Sequence, residues 1–328
     1  MTNWIFYPPL KNMSGGCMVL LQLARHMHAQ KALGGLVYWE SLPPEHDTTL
    51  PWLRAADALV RSGDRLIVPE GWPNALALGL RAGCQCTIYC QNWSYLFQGL
   101  DHSVRWNALP VDFWAVSHPV AWYLTQVLGQ NPPIIRPAID LSLFFPLDAK
   151  PEGPVRIGFM PRKNKALAEQ IQRIFIERNP TLHVQWVPIH GLSQVGVAEV
   201  LRSCHIFLST GFPEGFALPP LEAMACGCLC VGFTGFGGWD YMRAIADSAC
   251  TPQGYQLRDV SWKANGWWCA DGDVLGASLG LEWAVQTAEN PKALAHIVDQ
   301  AAATVQSYSA AAQGHELAAA LSIVRRAP

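Results

Sequence analysis

The chain has 328 residues, half of them hydrophobic, 15% charged, with a formal net charge of −2. That length suits two domains of ordinary size, and the near-neutral balance gives no positive footprint for a nucleic-acid partner. No run reaches the ~18 apolar residues of a spanning helix, and the opening MTNWIFYPPLKNMSGG lacks the basic lead-in, apolar core and small-residue cleavage site of a signal peptide. The expected location is therefore the cytoplasm, or a peripheral position on the cytosolic face of a membrane.

Short apolar runs alternate with longer amphipathic ones, which reads as βα repetition and parallel sheets. NWIFYPP is the first predicted strand. MSGGCMVLLQLARHMHAQ is a loop running into a helix, with Leu20, Leu21, Leu23, Ala24 and Met27 at helical spacing. ALGGLVYWE, DRLIVPE, CTIYCQ and DFWAVS are further strands. Ser117 then suits an N-cap and Pro119 the first turn of the helix in SHPVAWYLTQVLG. The proline-dense NPPIIRPAIDLSLFFPLDAKPEGP lacks periodicity and reads as a linker, after which the pattern restarts. VRIGFMP, LHVQWVPI, HIFLST and CLCVGFTG are strands; NKALAEQIQRIFIERN, GVAEVLRSC and LPPLEAMACG are helices. The alanine-rich tail from residue 301 reads as helical.

This organisation predicts an N-terminal Rossmann-like domain over 1–140 and a linker over 141–153. A C-terminal Rossmann-like domain follows over 154–305, and a helical tail over 306–328 packs back toward the first domain. Ligands of such sheets sit beyond the carboxyl ends of the strands. The ten cysteines include Cys84, Cys86 and Cys90 in one strand-like segment and Cys226, Cys228 and Cys230 in another. Without a signal peptide they are expected to be reduced, and without CxxC pairs they read as small buried hydrophobes rather than a metal site.

The chemistry concentrates in HIFLSTGFPEGFALPPLEAMACGCLCVGFTGFGGWDYM. It reads as strand, loop, helix, strand and glycine-rich loop. Pro219 and Pro220 belong in the helix's first turn, where a missing N–H is harmless. The helix start is therefore an anion site suited to a diphosphate. Glu214 lies beside it and Glu222 one turn further on. A glutamate next to a phosphate site needs a reason, and hydrogen bonds from sugar hydroxyls supply one. A nucleotide-sugar offers two hydroxyl sets, one on the ribose and one on the transferred sugar. The bland alternative is a helix cap and a solvated face residue.

PEGFALPPLEAMACG resembles the signature of the retaining family-4, or group 1, glycosyltransferases of GT-B fold, whose pattern is E-G-F-x-L-P-x-x-E-A-M-A-x-G. Glu214, Gly215, Phe216, Leu218, Pro219, Glu222, Ala223, Met224, Ala225 and Gly227 match it. IIRPAIDLSLFFP resembles the family's linker through Ile139, Asp140, Phe144 and Pro146. NGWWCADGD resembles its N-G turn through Asn265, Gly266, Gly272 and Asp273, and Ser14–Gly16 its N-terminal glycine loop. The resemblance implies a GT-B fold, two Rossmann-like domains facing a central cleft. It implies that Glu214 contacts the donor sugar near the reacting carbon and that Glu222 holds the ribose hydroxyls. Gly15, Gly16, Gly215, Phe216, Ala217 and Leu218 would complete the donor site. Arg162 would bind the diphosphate with a lysine, Lys163 or Lys165, of which Lys165 is placed among the catalytic groups. Three departures stand out: Asp240 where the motif often has a glutamate, Gln91 and Asn92 where a histidine is common, and a short N-terminal domain. His118 is a substitute histidine, although at a helix start such a residue is more often structural; Gln91, Asn92, Trp93, His118, Trp239 and Asp240 are the candidate acceptor-cleft residues.

The implied activity is transfer of a hexosyl unit from a UDP- or GDP-linked sugar to a glycan, lipid or small-molecule acceptor, with retention. No cofactor is expected. Enzymes of this resemblance generally need no metal, so metal independence is expected. Trp72, Trp93 and Trp239 fall in loops suited to an acceptor, whereas Trp267 and Trp268 read as packing. Two rival readings are a non-catalytic carbohydrate- or nucleotide-binding protein and a sugar-nucleotide epimerase on the same fold. A dinucleotide-dependent oxidoreductase is disfavoured, because no GxGxxG follows the first strand.

Overall fold

A computed structural model describes residues 1–10, 14–43, 46–245 and 251–323. The chain forms two compact units, residues 1–138 with 311–328, and residues 139–310.

The first unit carries β1 (Asn3–Phe6), α1 (Gly15–Ala29), β2 (Leu33–Tyr38), β3 (Trp52–Arg54), β4 (Arg65–Pro69), α2 (Leu76–Ala82), β5 (Gln85–Cys90), β6 (Val111–Ala115) and α3 (His118–Leu128). Its six strands are parallel, in the order β3-β2-β1-β4-β5-β6. The order reverses between β1 and β4, which makes the carboxyl ends of those strands the switch point of the sheet. β4 is buried along its whole length, as a strand covered on both faces should be. Ser117 caps α3, accepting from Val120 N at 3.3 Å, and Gly129 closes it in the left-handed region.

The second unit carries β7 (Val155–Phe159), α4 (Lys165–Arg178), β8 (Val184–Pro188), α5 (Gln194–Ser203), β9 (Ile206–Ser209), α6 (Leu218–Ala225), β10 (Leu229–Phe233), β11 (Trp267–Cys269), α7 (Val274–Ala288) and α8 (Pro291–Gln306). The parallel sheet runs β11-β10-β9-β7-β8, with its switch point between β7 and β9. Ile157, Ile206, Leu208 and Val231 from the strands pack with Phe175 of α4 and Leu281 of α7 in one core. Each such side chain contributes roughly 1.5–3 kcal/mol on burial.

β3 and β11 lie outside the strands predicted from sequence. Each is three residues long, too short to show a period. The alanine-rich tail is two helices, α8 and then α9 (Ala310–Ser322). α9 belongs to the first unit, where Gln313 Nε2 donates to Arg136 O at 2.9 Å and Glu316 accepts from Arg136 N at 2.7 Å. Residues 139–153 lie in the second unit, where Lys150 Nζ donates to Cys226 O at 2.7 Å beyond the end of α6. The described cysteines are buried and unbridged; Cys250 lies outside the described residues. Among the described residues no helix is long and apolar enough to cross a membrane.

Candidate functional site

In the second unit, the loops that leave β7 and β9 flank the switch point. The first carries Arg162, Lys163 and Asn164; the second carries Thr210 to Ala217. Asn164, in the left-handed region at φ 57°, fastens them together. Its Nδ2 donates to Thr210 O at 2.8 Å and Phe212 O at 3.0 Å. Lys163 Nζ donates to Pro213 O at 3.1 Å and lies 2.8 Å from Glu214 Oε1. Arg162, Lys163, Glu214, Gly211 and Pro219 line one pocket at the start of α6. Lys165, placed from sequence among the catalytic groups, instead sits on the exposed first turn of α4 and pairs with Glu169 at 3.6 Å. Helical geometry explains this, since positions i and i+4 share a face. The lysine beside Glu214 is Lys163.

The glutamate loop rests on the glycine-rich loop that follows β10. Glu214 N donates to Gly235 O at 2.9 Å, and Gly237 N donates to Glu214 O at 3.0 Å. The approach requires glycines. A Cβ on Gly237 would stand 2.1 Å from the Gly215 carbonyl carbon, and one on Gly235 would stand 2.7 Å from Gly211 O. Asp271 anchors the same loop by accepting from Gly235 N at 2.8 Å. Burial lifts its carboxyl to about 6. Asp271 and Asn164 are contributors that sequence reasoning missed. Both hold backbone rather than match a motif, although Asp271 lies inside the recognised NGWWCADGD turn.

Ala217, left-handed at φ 67°, starts α6, with Pro219 and Pro220 in its first turn and no side-chain cap. Tyr241 Oη donates to Ala217 O at 2.5 Å. Gly215, Phe216 and Ala217 are buried, and Leu218 is half-buried. Phe216 packs on Tyr241 and Tyr308, ring centroids 5.5 and 5.3 Å away. It supports the loop from behind. Glu222, in the second turn of α6, is 9% exposed. Burial raises its carboxyl to about 7.

Two residues expected in an acceptor cleft are interior ones. Asp240 has no exposure and accepts from Tyr308 Oη at 2.8 Å; Trp239 is 3% exposed. The glycine-rich loop turns back into the core after Gly238, which takes both side chains with it. Asn265 is likewise internal, donating to Tyr241 O at 2.9 Å and to Thr304 Oγ1 at 3.0 Å. Asp273 caps α7 through Gly276 N at 2.8 Å.

In the first unit, Ser14 caps α1 by accepting from Cys17 N at 3.2 Å, and Gly15 and Gly16 form the first turn. Gly16 faces Gln91, whose Oε1 would lie 3.2 Å from a Cβ there. The loop after β5 is set by Glu70 at the end of β4, another contributor not anticipated. Its two carboxylate oxygens accept from Gln91 N at 2.9 Å and Asn92 N at 2.8 Å. Even with those donors, burial raises Glu70 to about 7. Asn92 is buried; Gln91, Trp93 and His118 are half-buried. Trp93 packs on Tyr123 with centroids 5.6 Å apart. His118 is the first residue of α3. Among the described residues no group of three or more His, Cys, Asp or Glu could hold a metal ion.

Residues 158–255 match the family model described as glycosyl transferases group 1, a segment that spans the lysine, glutamate and glycine-rich loops. Over 129 residues the chain is 35% identical to an alpha-1,6-glucosyltransferase of Actinobacillus pleuropneumoniae serotype 7 (strain AP76). That match spans 38% of this chain and 38% of the relative. The fold is similar to that of sucrose-phosphate synthase from Thermosynechococcus elongatus, with a TM-score of 0.68, 12% identity and coverage of 97% and 98% of the two chains. It is also similar to a glycosyltransferase from Rickettsia africae ESF-5, with a TM-score of 0.66, 11% identity and 98% coverage of both. The fold is GT-B, and the sequence matches to the glycosyltransferase family model and to the glucosyltransferase each cover less than half of the chain.

Proposed function

We propose that the protein transfers a hexosyl unit from a UDP- or GDP-linked sugar to an acceptor hydroxyl with retention at the anomeric carbon. The observation that carries this reading is the pairing of Lys163 with Glu214 at the uncapped start of α6. A cation and a helix N-terminus face an anion there, while the glutamate faces hydroxyls. Arg162 and Lys163 neutralise the departing nucleoside diphosphate as the bond from the anomeric carbon to the phosphate oxygen breaks. Stabilisation of that developing charge is the dominant catalytic contribution. The acceptor oxygen bonds to the same carbon on the same face, and its proton passes to the leaving phosphate, so no histidine base is required. Glu222, buried without a described hydrogen-bond donor to its carboxylate, receives the ribose hydroxyls. No metal takes part.

The test is calorimetric titration of the whole chain with UDP, GDP and ADP in EDTA, beside Glu222→Ala. One nucleotide binding at micromolar strength, weakened at least tenfold by the substitution, supports the reading. Failure of all three to bind overturns it. The anomeric proton of a transferred sugar, followed by NMR, then separates retention from inversion.

A further inference from the structure

The switch point of the first unit is lined by aromatic side chains that the donor reading does not use. Phe6 ends β1, Trp39 follows β2, and Trp72 follows β4. Phe6 is 1% exposed and forms the floor. Trp39 lies on it with centroids 4.7 Å apart, Trp72 with centroids 6.1 Å apart, and the two indoles meet edge to face at 5.6 Å. Both tryptophans are half-buried.

Three other indoles of the same unit are tied to acceptors within the protein. Trp4 donates to Asp64 Oδ2 at 3.1 Å, Trp52 to Asp47 O at 2.8 Å and Trp106 to Leu96 O at 2.9 Å. Among the described residues nothing accepts from Trp39 or Trp72. Trp114 likewise makes no hydrogen bond among the described residues, but it is 3% exposed and packs under Arg65, whereas Trp39 and Trp72 are half-buried at the sheet's carboxyl edge, where a ligand can reach their rings.

The charge around the platform decides among ligand classes. The described residues that follow β1, β2, β4 and β5 (7–10, 39–43, 70–75 and 91–96) include no lysine or arginine; their charged groups are Glu40 and Glu70. Arg54 ends the edge strand β3, one strand beyond Trp39. Among the described residues of these loops a phosphate or nucleotide finds no counter-ion, whereas a neutral ring with an apolar face and a hydroxyl rim matches the indoles. Gln91, whose backbone Glu70 holds and whose amide lies over Gly16, supplies hydrogen bonds of both kinds.

We infer that the carboxyl edge of the first unit's sheet, built on Phe6, Trp39, Trp72 and Gln91, binds a neutral saccharide. Resting on the glycosyl-transfer reading, this makes the acceptor a sugar rather than a lipid headgroup or a small aglycone. The sugar ring lies on the Trp39–Trp72 platform with Gln91 and the indole N–H groups at its hydroxyls.

The test applies the full chain to an array of neutral oligosaccharides ending in glucose, galactose or N-acetylhexosamine. It is repeated on phosphatidylcholine vesicles, and with Trp39→Ala, Trp72→Ala and Trp72→Phe. The expected result is binding to at least one oligosaccharide class, about tenfold weaker in either alanine variant and about three- to fivefold weaker in Trp72→Phe, which keeps an aromatic ring but loses the N–H. Nucleotide affinity measured on the same preparations stays unchanged, which shows that the fold is intact. Oligosaccharide binding indifferent to both alanine variants overturns the inference. So does a chain that binds nucleotide but no oligosaccharide, or tryptophan-dependent binding to vesicles instead. Oligosaccharide binding without nucleotide binding sinks the transferase reading and leaves the saccharide site standing.

Discussion

Tyr308 Oη and Asp240 Oδ2 lie 2.8 Å apart inside the second unit, and Asp240 has no solvent exposure. Arg258 completes the cluster, donating to Tyr308 Oη at 2.8 Å with a nitrogen 3.6 Å from the same Asp240 oxygen. The carboxylate is thus part of the wall behind Phe216. Removing one member of a buried charged pair leaves the other without compensation, so Asp240→Ala should destabilise by about 2–4 kcal/mol. Tyr308→Phe, which removes one hydroxyl, should lower stability by about 1–2 kcal/mol. Urea unfolding measures both. Asp240→Ala with wild-type unfolding and a raised acceptor KM would return Asp240 to the ligand-facing set.

Glu222 makes a prediction whose sign follows from its environment. Burial raises its carboxyl from 4.5 to about 7. Between those values the folded chain holds a proton that the unfolded chain has released, so stability falls as pH rises through the window and levels off above 7. The full effect is at most about 3 kcal/mol. Glu222→Gln removes it. The variant should equal wild type near pH 4.5 and be more stable at pH 8, seen as a higher Tm. Glu70, also raised to about 7, contributes a slope of the same sign that survives the substitution. Nucleotide hydroxyls donating to Glu222 favour its charged form, so binding near pH 6.5 should release a proton. Calorimetry in buffers of different ionisation enthalpy detects that release, and Glu222→Gln should abolish it. A variant no more stable than wild type at pH 8 contradicts the burial argument.

Sequence patterning carried most of the fold because parallel strands buried on both faces read as apolar runs between helical stretches. β3 and β11 escaped, because three residues carry no period. The glutamate motif carried the donor loop for the same local reason, with ligand-facing groups and helix start contiguous in the chain. What stayed hidden depends on distant backbone contacts. Asn164 is a bridge to Thr210 O, Glu70 holds residues 21 and 22 positions away, and Asp271 reaches Gly235. Asp240 and Trp239 misled because a glycine-rich loop looks exposed in sequence. Here it turns inward.

The lysines separate by placement. Lys163 and Glu214 are about a quarter exposed, and a pair so wetted contributes no more than about 1 kcal/mol. Lys163→Ala should therefore leave unfolding nearly unchanged. It should weaken nucleotide diphosphate binding by about tenfold or more, the loss expected for a charge-assisted contact. Glu214→Gln should leave nucleotide affinity within a few-fold of wild type and lower sugar transfer by about a hundredfold or more. Lys165→Ala, with its side chain turned to Glu169, should match wild type in both assays. The reverse ranking of the two lysines would place the diphosphate over α4 instead.

Gly237 gives the sharpest test of how the two loops are held. Its backbone does not lie in the left-handed region, so alanine there meets no conformational penalty of that kind; the obstacle is space. A Cβ would fall 2.1 Å from the Gly215 carbonyl carbon and 2.5 Å from Phe216 N, backbone atoms that no side-chain rotation can move aside. Gly237→Ala must push the Glu214 loop off the glycine-rich loop. It should destabilise by more than about 3 kcal/mol, at the upper end of single substitutions, or leave a folded chain without nucleotide binding. Gly129 is the matched control. It closes α3 at φ 67° with nothing within 4 Å of a Cβ, so Gly129→Ala should lower stability by only about 1 kcal/mol and leave binding intact. Thermal melts with parallel nucleotide titrations distinguish the two. Equal, mild effects would mean that the loops part easily and that Glu214 is not held by this contact.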